Sequence, residues 1–296
     1  MLDLSHIPNS QQDVQVFYSN GVTNAWQTWN KPRKCNYVWI MCIGGGAGGA
    51  GGTNGTSPQQ NTGGASGGVS RALYNAQQLP DTLYVQVGLG GAGGNQGSNG
   101  SAGTRSIVTL QPSVIAQNIV AISGNVAAVG GSVGAAANSA GETAASQATA
   151  TFYTLSNFIS TAGQTSLFSA GSAFTALALT SQITTSGGNG DASNNPFGGG
   201  TSILSSSISP LIQGGALATA SGSNGGNGAN GITSWKPFYS LGGAGGGAAT
   251  SGSGGNGGNG GIGSGGGGAG NGNVSLGYTS GRGGKGGDGL VVIISF

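Results

Sequence analysis

Two periodicities divide this chain. Short apolar runs with strand character alternate with glycine tracts that repeat at every third residue. Residues 14–18 (VQVFY) are β-prone and are followed by Asn20-Gly21, a hairpin-turn signal. The run Tyr37–Ile43 (YVWIMCI) reads as a strand buried on both faces, and it empties into glycine at Gly44. Along 83–87, Leu83, Val85 and Val87 alternate with Tyr84 and Gln86, and this strand empties into glycine at Gly88. Residues 69–73 and the closing run 290–296 (LVVIISF) do the reverse and emerge from glycine. Further short strands are expected at 107–110, 119–122 and 203–204.

The glycine tracts carry neither the 3.6-residue spacing of a helix nor the two-residue spacing of a strand. In 252–270 (GSGGNGGNGGIGSGGGGAG) the unit is Gly-Gly-x, and it recurs at 45–52, 90–95, 225–228, 242–246 and 283–288. An extended helix with three residues per turn makes no internal hydrogen bonds. With glycine on two of its three faces, neighbours can approach backbone to backbone and pair their N–H and C=O groups. The expected fold is therefore all-β: an antiparallel β-sandwich base with a bundle of polyglycine II helices at one end and little or no α-helix. If every tract stands at one end, strands leaving for glycine run antiparallel to strands arriving from it. Tyr37–Ile43 and 290–296 should then be antiparallel neighbours. Residues 1–13 read as a polar N-terminal arm, and 14–296 as a single domain. Within it, an Ala/Ser/Thr-rich insertion of short strands and loops spans about 111–186.

Composition sharpens this picture. Of 296 residues, 67 are glycine, against a usual share of about 7%. Charged residues make up 5%, where about 25% is ordinary. Eight prolines, none in the tracts, exclude collagen. A net charge of +2 from scattered residues gives no footprint for nucleic acid. No start of signal-peptide type and no apolar run long enough to span a bilayer is present, so neither secretion by that route nor membrane insertion is expected. Cys35 and Cys42 lie an odd number of positions apart, which along one strand places them on opposite faces, so free thiols are expected.

Catalysis needs titratable groups, and the only histidine is His6 and the only glutamate Glu142. No nucleophile–base set, paired carboxylates or metal-ligand spacing emerges, so the expectation is a non-enzyme without cofactor or metal. Recognition suits the sequence better. The stretch 232–241 (ITSWKPFYSL) gathers Trp235, Lys236, Phe238 and Tyr239, and loops between tracts are expected at the free end of the bundle. Aromatics beside one cation fit sugar-ring stacking or a protein anchor. Equally open is that Trp235 and Phe238 fold back over the bundle edge. Tyr278, in 271–280, is a further candidate of the same type. Trp26, Trp29 and Trp39 are expected in the sandwich core or covering its edge.

The order Trp26-x-x-Trp29-x-Lys31-Pro32, then Tyr37-Val38-Trp39-Ile40 running into Gly44-Gly45-Gly46, resembles the glycine-rich domain of phage tail-fibre and other virion proteins. The run 79–88 (LPDTLYVQVG) followed by 90–94, and the ending 286–294 (GGDGLVVII), are similar to it too. More loosely, the chain resembles the tip adhesins of T-even-type phages, in which polyglycine helices hold out receptor-binding loops. The resemblance implies a virion protein, assembled in the host cytoplasm and exposed outside the cell. It would recognise a host-surface glycan or outer-membrane protein and contact other virion proteins or copies of itself. The other reading is a purely structural fibre, capsid-decoration or tail component that packs through its glycine bundle.

Overall fold

In the computed structural model, the described residues are 13–22, 25–53, 61–113, 118–122, 148–150, 159–161, 183–188, 190, 212–236 and 238–296. Of the arm expected at 1–13, residues 1–12 lie outside them and Asp13 begins a strand; the strand expected at 203–204, and His6 and Glu142, lie outside them too. Among the described residues the fold is β throughout, with two single-turn 3-10 segments and no α-helix.

Ten strands form two antiparallel sheets. The first has the order β1 (Asp13–Tyr18), β12 (Leu290–Ser295), β3 (Tyr37–Ile43), β4 (Val69–Asn75), β9 (Ile159–Thr161). The second runs β2 (Trp26–Asn30), β5 (Thr82–Gln86), β6 (Ile107–Thr109), β7 (Asn118–Ile122), β8 (Ala148–Ala150). The expected β3–β12 pair is present and antiparallel, with Ile293 opposite Ile40. The segment 111–186 thus contributes β7 and β8 to one sheet and β9 to the other.

The core between the sheets follows from alternation. Val38, Ile40 and Cys42 of β3, Val291 and Ile293 of β12, and Tyr74 of β4 meet Trp29 of β2 and Leu83 and Val85 of β5. The alternate positions of the first sheet are apolar too. Met41, Ile43, Val69, Leu290, Val292 and Ile294 form a second cluster on its outer face. That two-sided burial is why 290–295 is an unbroken apolar run.

Two local readings are corrected. Asn20-Gly21 does not close a hairpin: β1 pairs with β12 and β2 with β5, because each strand's apolar face belongs to a different sheet. Cys35 precedes β3 and packs against the same inter-sheet cluster that holds Cys42, so the two thiols do not sit on opposite faces. They remain unbridged. Burial pushes the Cys42 thiol far above its ordinary range, so it stays protonated and unreactive. Thiol titration of the native protein should find Cys42 silent and should recover its reactivity on addition of denaturant. Reaction of Cys42 under native conditions would contradict its place in the core.

The glycine tracts all stand on one end of the sandwich, and their hydrogen bonds repeat with period three. Gly45, Gly48 and Gly51 donate to Thr104, Ser101 and Ser98. Gly46, Gly49 and Gly52 donate to Gly287, Gly284 and Gly281, while Ala47 and Ala50 donate to Ala65 and Thr62. One tract therefore serves three neighbours in rotation, the bonding a chain of three residues per turn makes with surrounding chains. From such pairings the tracts arrange in layers. An outer layer holds 222–231, 252–261, 279–288 and 88–97, and a middle layer holds 213–218, 242–249, 263–271, 44–52 and 98–104. A third contains 61–68 and 184–188.

At the centre lies 263–271. Its N–H groups go to Ala47 and Ala50, to Thr185 and Gly188, and to Gly255 and Gly258. Its carbonyls accept from Gly64 and Gly67, from Gly243 and Gly246, and from Gly281, Gly284 and Gly287. At its middle a Cβ in any direction would meet a neighbouring backbone carbonyl, and there the sequence turns from Gly-Gly-x to four consecutive glycines, 265–268.

Candidate functional site

Tract direction decides where each connecting loop lies. The 222–231 tract descends toward the sandwich, in parallel with 252–261 and with 279–289, which enters β12. The loop after it must therefore sit at the sandwich end. There β10 (Thr233–Trp235) and β11 (Phe238–Ser240) form a hairpin. The expectation that 232–241 stands at the free end is thus corrected.

The hairpin aromatics divide between cover and exposure. Phe238 packs on the outer-face cluster of the first sheet, beside Ile262 and Ile183. Tyr239 packs on Ile212, Leu241 and Ala244 under the middle layer. Trp235 remains 48% exposed, its ring 5.3 Å from Phe238 and 6.4 Å from Tyr18 of β1. Lys236 is exposed at the hairpin turn. Phe238 thus follows the folding-back reading and Trp235 does not: Trp235 is left on the surface with Lys236, while Tyr239 is covered as well. With Val14, Val16 and Tyr18, Trp235 makes an exposed apolar strip along the edge of the first sheet.

Tyr278 belongs to the other end. It closes the turn between 263–272, which ascends, and 279–289, which descends. At about 3.1 Å per residue, a tract of that length separates it from the hairpin level by roughly 30 Å. From the sequence both loops are expected at the free end of the bundle, and the fold places them at opposite ends. Tyr278 instead shares its end with Leu276, which is 62% exposed, and with the turns at 95–98, 219–222 and 250–252. Leu276 carried no signal in the sequence beyond its place in a short polar loop.

These turns are tied together. Gly222 donates to the Ser251 carbonyl, and Asn273 Nδ2 to the Thr250 carbonyl at 2.7 Å. The Thr279 and Ser253 hydroxyls lie 3.3 Å apart. Beneath them is a buried polar plug. Asn271 Oδ1 accepts from Asn61 Nδ2 at 2.7 Å, from the Thr53 N–H at 2.9 Å and from the Thr53 hydroxyl at 3.3 Å. Ser280 Oγ donates to the Thr53 carbonyl and accepts from the Gly272 N–H. Asn61 and Asn271 have no exposed surface. Such a network holds these turns in one arrangement.

The outer layer shows why x is so often asparagine. Among the described residues no further tract beyond that layer receives the outward N–H groups, and side chains substitute. Asn227 Oδ1 accepts from the Asn256 N–H and Asn256 Oδ1 from the Arg282 N–H, both at 2.8 Å. One triplet on, Asn230 serves Asn259 and Asn259 serves Lys285. These asparagines complete the bundle edge. Lys285 also pairs with Asp288 at 3.0 Å, an exposed contact of little energetic weight. Among the described residues, no three His, Cys, Asp or Glu side chains gather as they would around a metal ion, and no helix is long and apolar enough to cross a membrane.

A family model described as a glycine-rich domain matches residues 21–295. No curated protein matches the chain.

Proposed function

The chain belongs to the glycine-rich domain family, and from that premise we propose that it is a non-enzymatic phage virion protein that recognises a host-surface receptor. The sandwich is the base, the bundle is a rigid spacer, and the turns at the far end make the contact. The observation that carries this reading is the plug at Asn271, Thr53, Asn61 and Ser280 beneath turns that carry Tyr278 and Leu276. Ordering several loops in advance removes an entropy cost that a receptor would otherwise meet on binding. A half-buried tyrosine and an exposed leucine on a polar rim suit a sugar face or a protein anchor. Low charge and an Asn/Ser/Thr surface fit a particle exposed outside the cell. The partner would be a host-surface glycan or outer-membrane protein.

A purely structural role is the second reading, as a fibre, capsid-decoration or tail component. The exposed strip of Val14, Val16, Tyr18 and Trp235 favours it, since edge-strand apolar residues suit an interface with another virion protein or a second copy.

Binding of fluorescently labelled protein to a panel of bacteria that includes the host of the source phage separates the two. Saturable binding is expected, weakened at least roughly tenfold, about 1.4 kcal/mol, by the double substitution Leu276→Asn, Tyr278→Ser. Trp235→Ala should leave cell binding unchanged. Should Trp235→Ala abolish binding while the tip pair does not, the contact moves to the hairpin. Absence of binding to every strain would remove the adhesin reading and leave the structural one.

A further inference from the structure

Not all the basic residues are scattered: three of the eight lysines and arginines, Lys31, Arg33 and Lys34, fall within four residues of a chain that is otherwise nearly uncharged. They occupy the loop between β2 and β3, at the pole of the sandwich farthest from the glycine bundle. There they line a cavity of about 400 Å³ together with Asn30, Gln77 and Asp81. That volume falls within the range of small-molecule sites, roughly 300–1,000 Å³.

The three cations are not equivalent. Lys31 is committed to the fold: its Nζ lies 2.8 Å from the Leu79 carbonyl, 3.3 Å from that of Ala76 and 3.0 Å from Asp81 Oδ1. It ties β2 to the segment before β5. Arg33 and Lys34 are exposed at a turn, and Lys34 has a backbone φ of +69°. This is the second central position of the turn, where a positive φ ordinarily selects glycine or asparagine. Among the described residues, this chain of 67 glycines places glycine at five of its seven positive-φ positions, Gly21, Gly97, Gly222, Gly263 and Gly277, and a small serine at Ser113. At position 34 it holds lysine instead. Strain kept in place of an available glycine points to use of the side chain.

From this we propose that the cavity binds a dianionic phosphomonoester, with Arg33 and Lys34 as its cationic ligands and the amides of Asn30 and Gln77 as further donors. Charge matches the class. Lys31, Arg33 and Lys34 against Asp81 leave the cavity two positive charges in excess, and a phosphomonoester carries about −1.5 to −2 at neutral pH. The guanidinium offers a planar pair of N–H donors to two phosphate oxygens, and the ammonium adds a point charge. The site lies at the opposite pole from the proposed receptor contact and is independent of it.

Calorimetric titration of the full chain with glucose 6-phosphate tests the free ester, and vesicles of phosphatidylcholine with and without phosphatidic acid test the same group on a surface. Saturable binding is expected to at least one, and the arm that binds assigns the source. Lys34→Gly and Arg33→Ser should each weaken it at least tenfold, while Lys34→Gly melts no lower than the parent protein. Dimethyl phosphate, a monoanion, should bind at least tenfold more weakly than the monoester. Absence of binding in both arms would overturn the assignment, as would binding untouched by either substitution. A Lys34→Gly protein that melts well below the parent would make Lys34 a structural residue, and equal affinity for the monoanion would remove the charge match.

Discussion

Replacing Gly267 by alanine should cost the protein about 4 kcal/mol or more, the range reserved for severe core disruption. A Cβ on Gly267 would overlap the backbone carbonyl of Ala244. The opposing atoms are main chain, so no side-chain rotamer can swing away, and a backbone shift is required. That shift is not local. Gly267 donates to Gly258 and accepts from Gly284, and those tracts in turn bond to others. Each hydrogen bond contributes only about 1 kcal/mol net, but leaving a buried partner unsatisfied costs about 1–3 kcal/mol. Moving the central tract threatens several at once. For a chain of this size, thermal unfolding should shift down by about 2–4 °C per kcal/mol. Asn256→Ala is the contrast, since residue 256 points to solvent and the orphaned Arg282 N–H can turn to water. Equal melting temperatures for Gly267→Ala and the parent would mean that the central tract is not packed as described.

The second large effect is expected at Asn271. Its Oδ1 collects the Asn61 amide and both the N–H and the hydroxyl of Thr53, in a site closed to solvent. Leucine has similar bulk and no acceptor, so Asn271→Leu strands those donors. At about 1–3 kcal/mol for each buried unsatisfied group, a total near 3 kcal/mol is expected. The effect should also be local in character: amide exchange at 53, 61 and 273–280 should accelerate more than in β3 or β12, whose opening requires unfolding the sandwich. Uniform acceleration throughout the chain, or none, would show that the plug does not hold the tip. If the tip is the receptor contact, Asn271→Leu should also weaken cell binding without altering any exposed residue there.

Much of the fold was legible because glycine placement is a direct consequence of packing. Where x is polar or charged, a Gly-Gly-x tract lies at the edge with x outward, as Asn256, Asn259, Arg282 and Lys285 do; where x is alanine, as at Ala47, Ala50 and Ala244, it lies in the middle layer with x buried. A run of four glycines has no x and lies at the centre. Likewise YVWIMCI and LVVIISF signal strands buried on both faces, and they are the central pair of the first sheet.

The candidate site was less legible. Trp235, Phe238 and Tyr239 carry the same composition whether they cover an apolar sheet or face a receptor. Asn20-Gly21 announces a reversal without saying which strand follows on which sheet. Lys34 reveals nothing until its backbone dihedral is known.

By itself, then, the sequence determined the period of the tracts, the antiparallel strands at their feet and the single end on which the tracts stand. Each follows from where glycine and apolar residues fall along the chain, a pattern that the sequence displays directly. Only the tertiary structure decided which loops stand at the tip. Successive tracts alternate in direction, so neighbouring loops fall at opposite ends, and that alternation depends on the whole path of the chain. The path sends the aromatic hairpin down to the outer apolar face of the first sheet, where packing Phe238 removes apolar surface from water. It leaves Tyr278 and Leu276 at the far end, held by a plug whose members come from positions 53, 61, 271 and 280.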